Sequence, residues 1–501
     1  MIPASLSLAF ALVLAPFLLF CLGFLQMAPA AAAAALALAA SVPIFRRTDW
    51  RGRPDGGVLA AAAAIAVALT LLSGLGHFFY QTDDWVVRDA MLFDLVKHPW
   101  PVAYMADSAA GVMRAPLGMY LMPALIGKLG GTGAAQAALF AQNAALLTLV
   151  IYVFAWSQPA GRARMVMLVL FVAFSGLDCI PWLRRALDGT PGLALPHLEP
   201  WPIFFQYSSN VTEVFWTPHH GLAGWALVAA YLVWRAGRIS ALAIAPLWAT
   251  SVLWSPLAAL GAAPFLAFAF FCDIRDGRLR LTDFAAAAAI GVASLPVAIY
   301  LGRDTGNIEK GFQDFTNPEI LRSYVAMMAL EVAPFLAIAA RGRDPKDARG
   351  AIEFWLIAAL LFAIPLYNLG FANDFAMRVS IPALTLLCVR CVPGLMSLGA
   401  EPPLRRAIMV GIVTLGAITP AVEIWRNVTV PATPASECNV VESLKDGPYA
   451  GSPLDYYIAS QASFAPFSGL FRAATNKPLG RSIAKCWPGR KFVNAPASRS
   501  D

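Results

Sequence analysis

The chain has 501 residues, of which 59% are hydrophobic and 13% charged, with a mean hydropathy of +0.64. This composition excludes an ordinary soluble domain and predicts an all-α polytopic membrane protein, because long apolar runs recur along nearly the whole length. The alternation of a transmembrane β-barrel is missing. The net charge of +7 therefore points to no nucleic acid, and its distribution is more informative than its sum.

In chain order, apolar segments predict thirteen spans: 5–26, 28–45, 57–76, 134–156, 164–180, 217–235, 240–254, 256–272, 283–301, 319–340, 350–369, 378–398 and 407–424. The run 240–272 is too long for one helix, and "WSP" at 254–256 offers the break. "PLGMYLMPALIGKL" (116–129) is too short to cross and is interrupted by Pro123, so it reads as a helix in the outer interface. At the N-terminus "APAAAA" resembles a cleavage site, but no Lys or Arg precedes the apolar run, which favours a retained helix.

Thirteen alternating spans divide the loops into two sets. The set "FRRTDWRGRP", "SQPAGRAR", "RAGR", "CDIRDGRLR", "RGRDPKDAR" and 390–406 holds 18 Lys/Arg in 57 residues, against 9 in 123 for 77–133, 177–216, 302–318 and 370–378. The positive-inside rule makes the first set and the N-terminus cytoplasmic. The second set and the C-terminal region then lie outside. Three regions follow: 1–56 with two extra helices, a transmembrane domain over 57–424, and an exported region 425–501. That last region is polar, and its compartment permits a disulfide between Cys438 and Cys486. The other five cysteines lie in or beside spans.

The outer face carries the unusual polar residues. The first loop holds Asp83, Asp84, Arg88, Asp89, Asp94 and Arg114. A helix starting near Asp83 places Asp84 and Arg88 on one face. The acid pair is then either a helix cap or a site. In the second loop, Glu213 and Trp216 precede His219 and His220 at the start of a span. Adjacent histidines diverge on a helix and no HxxxH or HExxH spacing supports a metal, so they read as an interfacial belt or as one functional histidine. In the third, Asn373, Asp374 and Arg378 occupy a short loop and the next first turn. Arg378 reads as an internal partner of Asp374 or as a phosphate ligand. "LRR" at 183–185 adds two solvated arginines, and "NVT" at 210–212 and 427–429 matches the short glycosylation pattern. Glu331 and Glu353 fall within or near span ends, leaving span centres largely without charge.

A helix, an outer acidic pair, an interfacial helix, "RAPLGMYLMPALIGKLGG" with Pro116, Leu117 and Tyr120, and a span ending in a basic loop follow one another over 57–165. This order resembles the GT-C superfamily of membrane glycosyltransferases, which includes protein mannosyltransferases and lipid A aminoarabinose transferases. Two helices precede the core here, and the Pro before Leu117 is single where family members often have two. The resemblance implies a GT-C-like core and a sugar donor on a polyprenyl phosphate or diphosphate. The acceptor would be a lipid, glycan or protein outside the membrane. It also implies that Asp83, with Asp84 as second candidate, acts as general base or organises the site, directly or through a divalent metal ion. Arg378, with Arg88 or Arg114, would stabilise the departing phosphate, and His219 or His220 would contact phosphate or sugar. Rival readings are a transporter or flippase of lipid-linked substrates, an envelope polysaccharide polymerase or ligase, and a structural envelope protein. The Ala-rich, Arg-over-Lys composition suggests a bacterial cytoplasmic (inner) membrane, with the periplasm outside.

Overall fold

The computed structural model describes residues 2–106, 109–189, 196–202, 204–306, 308–370, 373–446, 454–481, 486–487, 490 and 492–493. Eight helices are long and apolar enough to cross a membrane: Ala4–Phe24, Met27–Arg46, Leu121–Trp156, Pro256–Arg275, Leu281–Leu301, Pro318–Arg341, Ala348–Leu366 and Pro403–Thr429. The other five expected spans fall on shorter or more polar helices, Gly56–Leu72, Leu242–Ser251 and Ile381–Met396 with Arg162–Ala173 and Pro218–Arg235. Small antiparallel and parallel β-pairings join loops, so the chain is not purely helical.

Local chemistry explains where boundaries moved. The break at "WSP" is as expected: the Ser255 hydroxyl accepts from Ala258 N at 3.1 Å, with Pro256 opening the next helix. Pro123, by contrast, interrupts nothing. It sits in the first turn of Leu121–Trp156, where its missing N–H has no partner to lose. The chain breaks instead at Gly131, whose φ of 83° suits glycine. The expected span 164–180 stops at Ala173 because Ser175 and Gly176 leave the helix to meet another one, and a side chain at Gly176 would collide with Glu331.

Contacts sort the loops onto two ends. At one end Ile2–Pro3 pairs with Thr48–Asp49, Arg164 meets Asp55 at 3.1 Å, Arg47 meets Asp283 at 3.1 Å, and Arg235 meets Asp347 at 2.7 Å. A cavity of about 170 Å³ there is lined by Trp234, Arg235, Arg278, Asp347, Arg349 and Glu353. At the other end Gln26 N donates to Leu470 O, Tyr80 N to Asn427 O, Gly370 N to Glu309 O, and the Asn373 amide to Phe204 O. The Lys/Arg-rich loops thus share one end, and the acidic loops share the other with the C-terminal region. Both "NVT" asparagines are buried and bonded, Asn210 to Phe171 O and Asn427 to Leu72 O and Tyr80 O.

The C-terminal region packs onto the first long loop. Ile458–Ser460 adds an antiparallel strand to Ala109–Met113, which pairs with Ala103–Ala106, with Val112 opposite Ala459. The expected disulfide joins Cys438 and Cys486, their Cα atoms 5.7 Å apart. Val440–Asp446 lies against the Trp85–Lys97 helix, anchored by Asp94. The fully buried Asp94 Oδ2 accepts from Tyr104 OH at 2.7 Å and Val440 N at 3.0 Å.

Burial pushes the Asp94 carboxyl up to about 7, against the lowering effect of those two donors. A proton held more tightly in the folded chain makes stability fall as pH rises. The contribution is fully present below the unfolded value of 3.8 and is lost as pH passes 7. Asp94→Asn keeps an acceptor oxygen for both donors. It is expected to flatten the loss of thermal midpoint between pH 5 and 8, a slope worth up to about 1.4 kcal/mol per pH unit. Melting curves in detergent across that range check this, and parallel wild-type and variant slopes would contradict it.

Candidate functional site

The acid pair divides between two environments. Asp84 occupies the N-cap position of Trp85–Lys97, but its side chain caps nothing. It pairs with Arg88 Nη1 at 3.1 Å and keeps 19% of its side chain exposed. Asp83 is fully buried and accepts from Val493 N at 2.9 Å. Consecutive residues at a helix start point in different directions, and here Asp84 faces the open side while Asp83 faces the C-terminal region. The first-ranked candidate base is therefore the enclosed one.

Asn210–Trp216 and Pro218–Arg235 meet at the non-helical Thr217. Arg378, in the short Asp374–Val379 helix, reaches this junction: its Nη1 lies 3.1 Å from Glu213 Oε1 and 2.9 Å from Thr217 Oγ1. Asp374 is a distant partner at 3.9 Å, so the expected internal Asp374–Arg378 bridge gives way to a link across elements. Burial raises the Glu213 carboxyl, and Arg378 lowers it in part.

The two histidines do not diverge. Their ring centroids are 3.9 Å apart, because the first turn is tightened by His220 N bonding Thr217 O at 3.0 Å and Ser255 holds His220 Nδ1 at 2.7 Å. His219 Nδ1 and Tyr120 OH are buried and have no hydrogen-bond partner among the described residues.

These pieces converge. Tyr120, Asp374 and Tyr457 all lie within electrostatic reach of Asp84 and Arg88. Glu213, His219, His220, Asp374 and Tyr457 all lie within reach of both Arg88 and Arg378. Loops far apart in sequence thus build one polar patch around two partly open carboxylates, Asp84 and Asp374, and two guanidinium groups. Tyr457 is the residue that sequence reasoning missed; it comes from the C-terminal region, and burial pushes its phenol up to about 12. Arg114 stands apart. Its guanidinium donates to Asp455 O, with Asp304 and Tyr300 beside it, while its backbone N donates to Tyr457 O at 2.8 Å. Arg114 therefore supports Tyr457 from behind. Among the described residues, no group of three or more His, Cys, Asp or Glu is placed to hold a metal ion.

A second buried polar centre was not expected. Trp201 Nε1 donates to both Asp178 Oδ1, at 3.0 Å, and Glu331 Oε1, at 2.9 Å. Ser175 and Thr419 hydroxyls donate to Asp178 Oδ2 at 3.1 and 2.9 Å. Glu331 lies in a π-helical turn, Met328–Val332, midway along Pro318–Arg341 rather than near its end. Beside this centre, Glu423 binds Arg426, His197 Nδ1 at 2.8 Å and Trp216 Nε1 at 2.8 Å.

Fold and site together define a multi-pass helical membrane protein with a built polar patch on the end opposite its basic loops. Comparison with known protein families, curated proteins and solved structures finds no match.

Proposed function

We propose that the chain is a glycosyltransferase of the GT-C kind, moving a sugar from a polyprenyl-phosphate-linked donor to a lipid, glycan or protein acceptor at the outer face of a bacterial inner membrane. In this reading the chain crosses thirteen times, with its N-terminus cytoplasmic and its C-terminal region periplasmic. The observation that carries it is the partly open Asp84 set among two largely buried arginines, Arg88 and Arg378. Asp84 takes the proton from the acceptor hydroxyl as that oxygen attacks the anomeric carbon. The bond from that carbon to the phosphate oxygen breaks, and the lipid phosphate leaves with the electron pair. Arg88 and Arg378 stabilise that charge as it develops. His219, His220 and Tyr457 line the sugar's position, and Asp374 faces the same opening. A divalent cation, if required, would be held by Asp84 together with groups of the substrate, since the described residues include no group of three or more His, Cys, Asp or Glu placed to hold one.

The donor site is tested by native mass spectrometry of the purified protein with added polyprenyl monophosphate. Arg88→Gln is expected to reduce retention about tenfold, the worth of one charge-assisted hydrogen bond. Equal retention by wild type and variant would contradict the assignment. A transporter of lipid-linked substrates is the second reading, favoured by Glu331, buried midway along Pro318–Arg341 with Asp178 beside it.

A further inference from the structure

The segment that carries the acid pair is held from outside its own loop. Gln81 and Thr82, both fully buried, precede the Trp85–Lys97 helix; Thr82 O accepts from Trp85 N at 3.1 Å and keeps a second lone pair, and Gln81 O lies one residue before that turn. A buried carbonyl needs a donor. Arg490 Nη2 donates to both, at 2.9 Å from Gln81 O and 3.0 Å from Thr82 O. Three residues further on, Val493 N donates to Asp83 Oδ1. On the helix side of the pair, Val86 packs with Cys438, Cys486, Trp487 and Phe492 in a small apolar cluster that encloses the disulfide. Cys486 N also bonds Asp446 Oδ2 at 2.7 Å, fixing that end of the segment to Val440–Asp446. Cys486, Trp487, Arg490, Phe492 and Val493 thus meet the residues on both sides of Asp84, and Cys486 carries the covalent link to Cys438.

We propose that Arg490 is a positioning residue for the Asp83–Asp84 pair, and that the Cys438–Cys486 disulfide delivers it, so that the exported region completes the acidic site. The link to catalysis rests on the transferase reading; the clamp itself does not. Without the disulfide, or without a donor at position 490, Gln81 O and Thr82 O lose the bonds from Arg490, Val493 withdraws, and Asp83 opens to water.

The test uses full-length protein in detergent, labelled with a water-soluble carbodiimide and glycine ethyl ester, with Asp83 and Asp84 read separately by peptide mass spectrometry. Wild type, Arg490→Ala, Arg490→Lys and the double variant Cys438→Ser/Cys486→Ser are compared. Asp83 labelling is expected to rise about tenfold in Arg490→Ala and in the double variant, as lost hydrogen bonds to charged groups imply. Arg490→Lys, which keeps a donor for the carbonyl groups, should stay near wild type. Unchanged Asp83 labelling in Arg490→Ala and the double variant, or equal opening in Arg490→Lys and Arg490→Ala, overturns the clamp. In cells, product glycan should be lost in Arg490→Ala and kept in Arg490→Lys. If Asp84→Asn abolishes the glycan and Arg490→Ala leaves it intact, the positioning role is overturned. If Asp84→Asn changes nothing while Asp83 labelling behaves as expected, the clamp stands and the transferase reading fails.

Discussion

Arg378→Ala is expected to destabilise the protein by about 3–5 kcal/mol. Glu213 is 2% exposed, and its carboxylate is paired with Arg378 and hydrogen-bonded by Thr217 at 2.7 Å. Removing the guanidinium strands that carboxylate, which must then take up a proton or stay charged and unpaired in a buried site. Either outcome appears as a lower thermal midpoint in detergent and reduced accumulation in membranes. Removing both partners is different, because an apolar pair of similar volume leaves no stranded charge. Glu213→Leu/Arg378→Leu should therefore recover most of the accumulation while remaining inactive, which separates the structural work of Arg378 from its proposed work on phosphate. A single variant that melts and accumulates like wild type would contradict this account of the pair.

Asp84→Asn is expected to leave the protein abundant in membranes and lower glycosyl transfer by about 10²- to 10⁴-fold, the usual contribution of a general base. The amide oxygen of the variant still accepts from Arg88, which also keeps its 2.9 Å bond to the backbone O of residue 84. Asp83→Asn should behave in the opposite way. The amide oxygen still accepts from Val493 N, so transfer should persist at near wild-type rate, with any loss falling on stability. Radiolabelled sugar transfer in membranes from matched strains measures both variants. Loss of transfer in Asp83→Asn alone would reverse the assignment of the two acids.

The two ends of the molecule were readable because lipid forces helices and leaves charge bias in the loops. The same loop sets that differ in Lys/Arg content meet one another in space, as Arg47–Asp283 and Arg235–Asp347 show at one end. Asp84, Arg88, His219, His220, Asp374 and Arg378 were also readable as chemistry out of place, and the structure gathers them. Which partner each would choose was not readable. Asp374 at i−4 was the local candidate for Arg378, yet Glu213 won because it is buried and needs a cation. Tyr457, Arg490 and Val493 belong to a polar region with no periodicity, so nothing in sequence linked them to residues 81–88. Glu331 was misplaced for a related reason: hydropathy gives the bounds of a span, but Trp201, arriving from a loop 130 residues away, is what gives a mid-span carboxylate a donor.

The most direct test compares lipid-linked and envelope glycans in cells carrying wild-type protein, a deletion and Asp84→Asn, with membrane abundance of the two proteins matched. The account predicts that Asp84→Asn reproduces the deletion's loss of one glycan modification, with its lipid-linked sugar accumulating unused. A glycan profile in Asp84→Asn identical to wild type, at equal abundance, would contradict the central claim that this carboxylate performs sugar transfer.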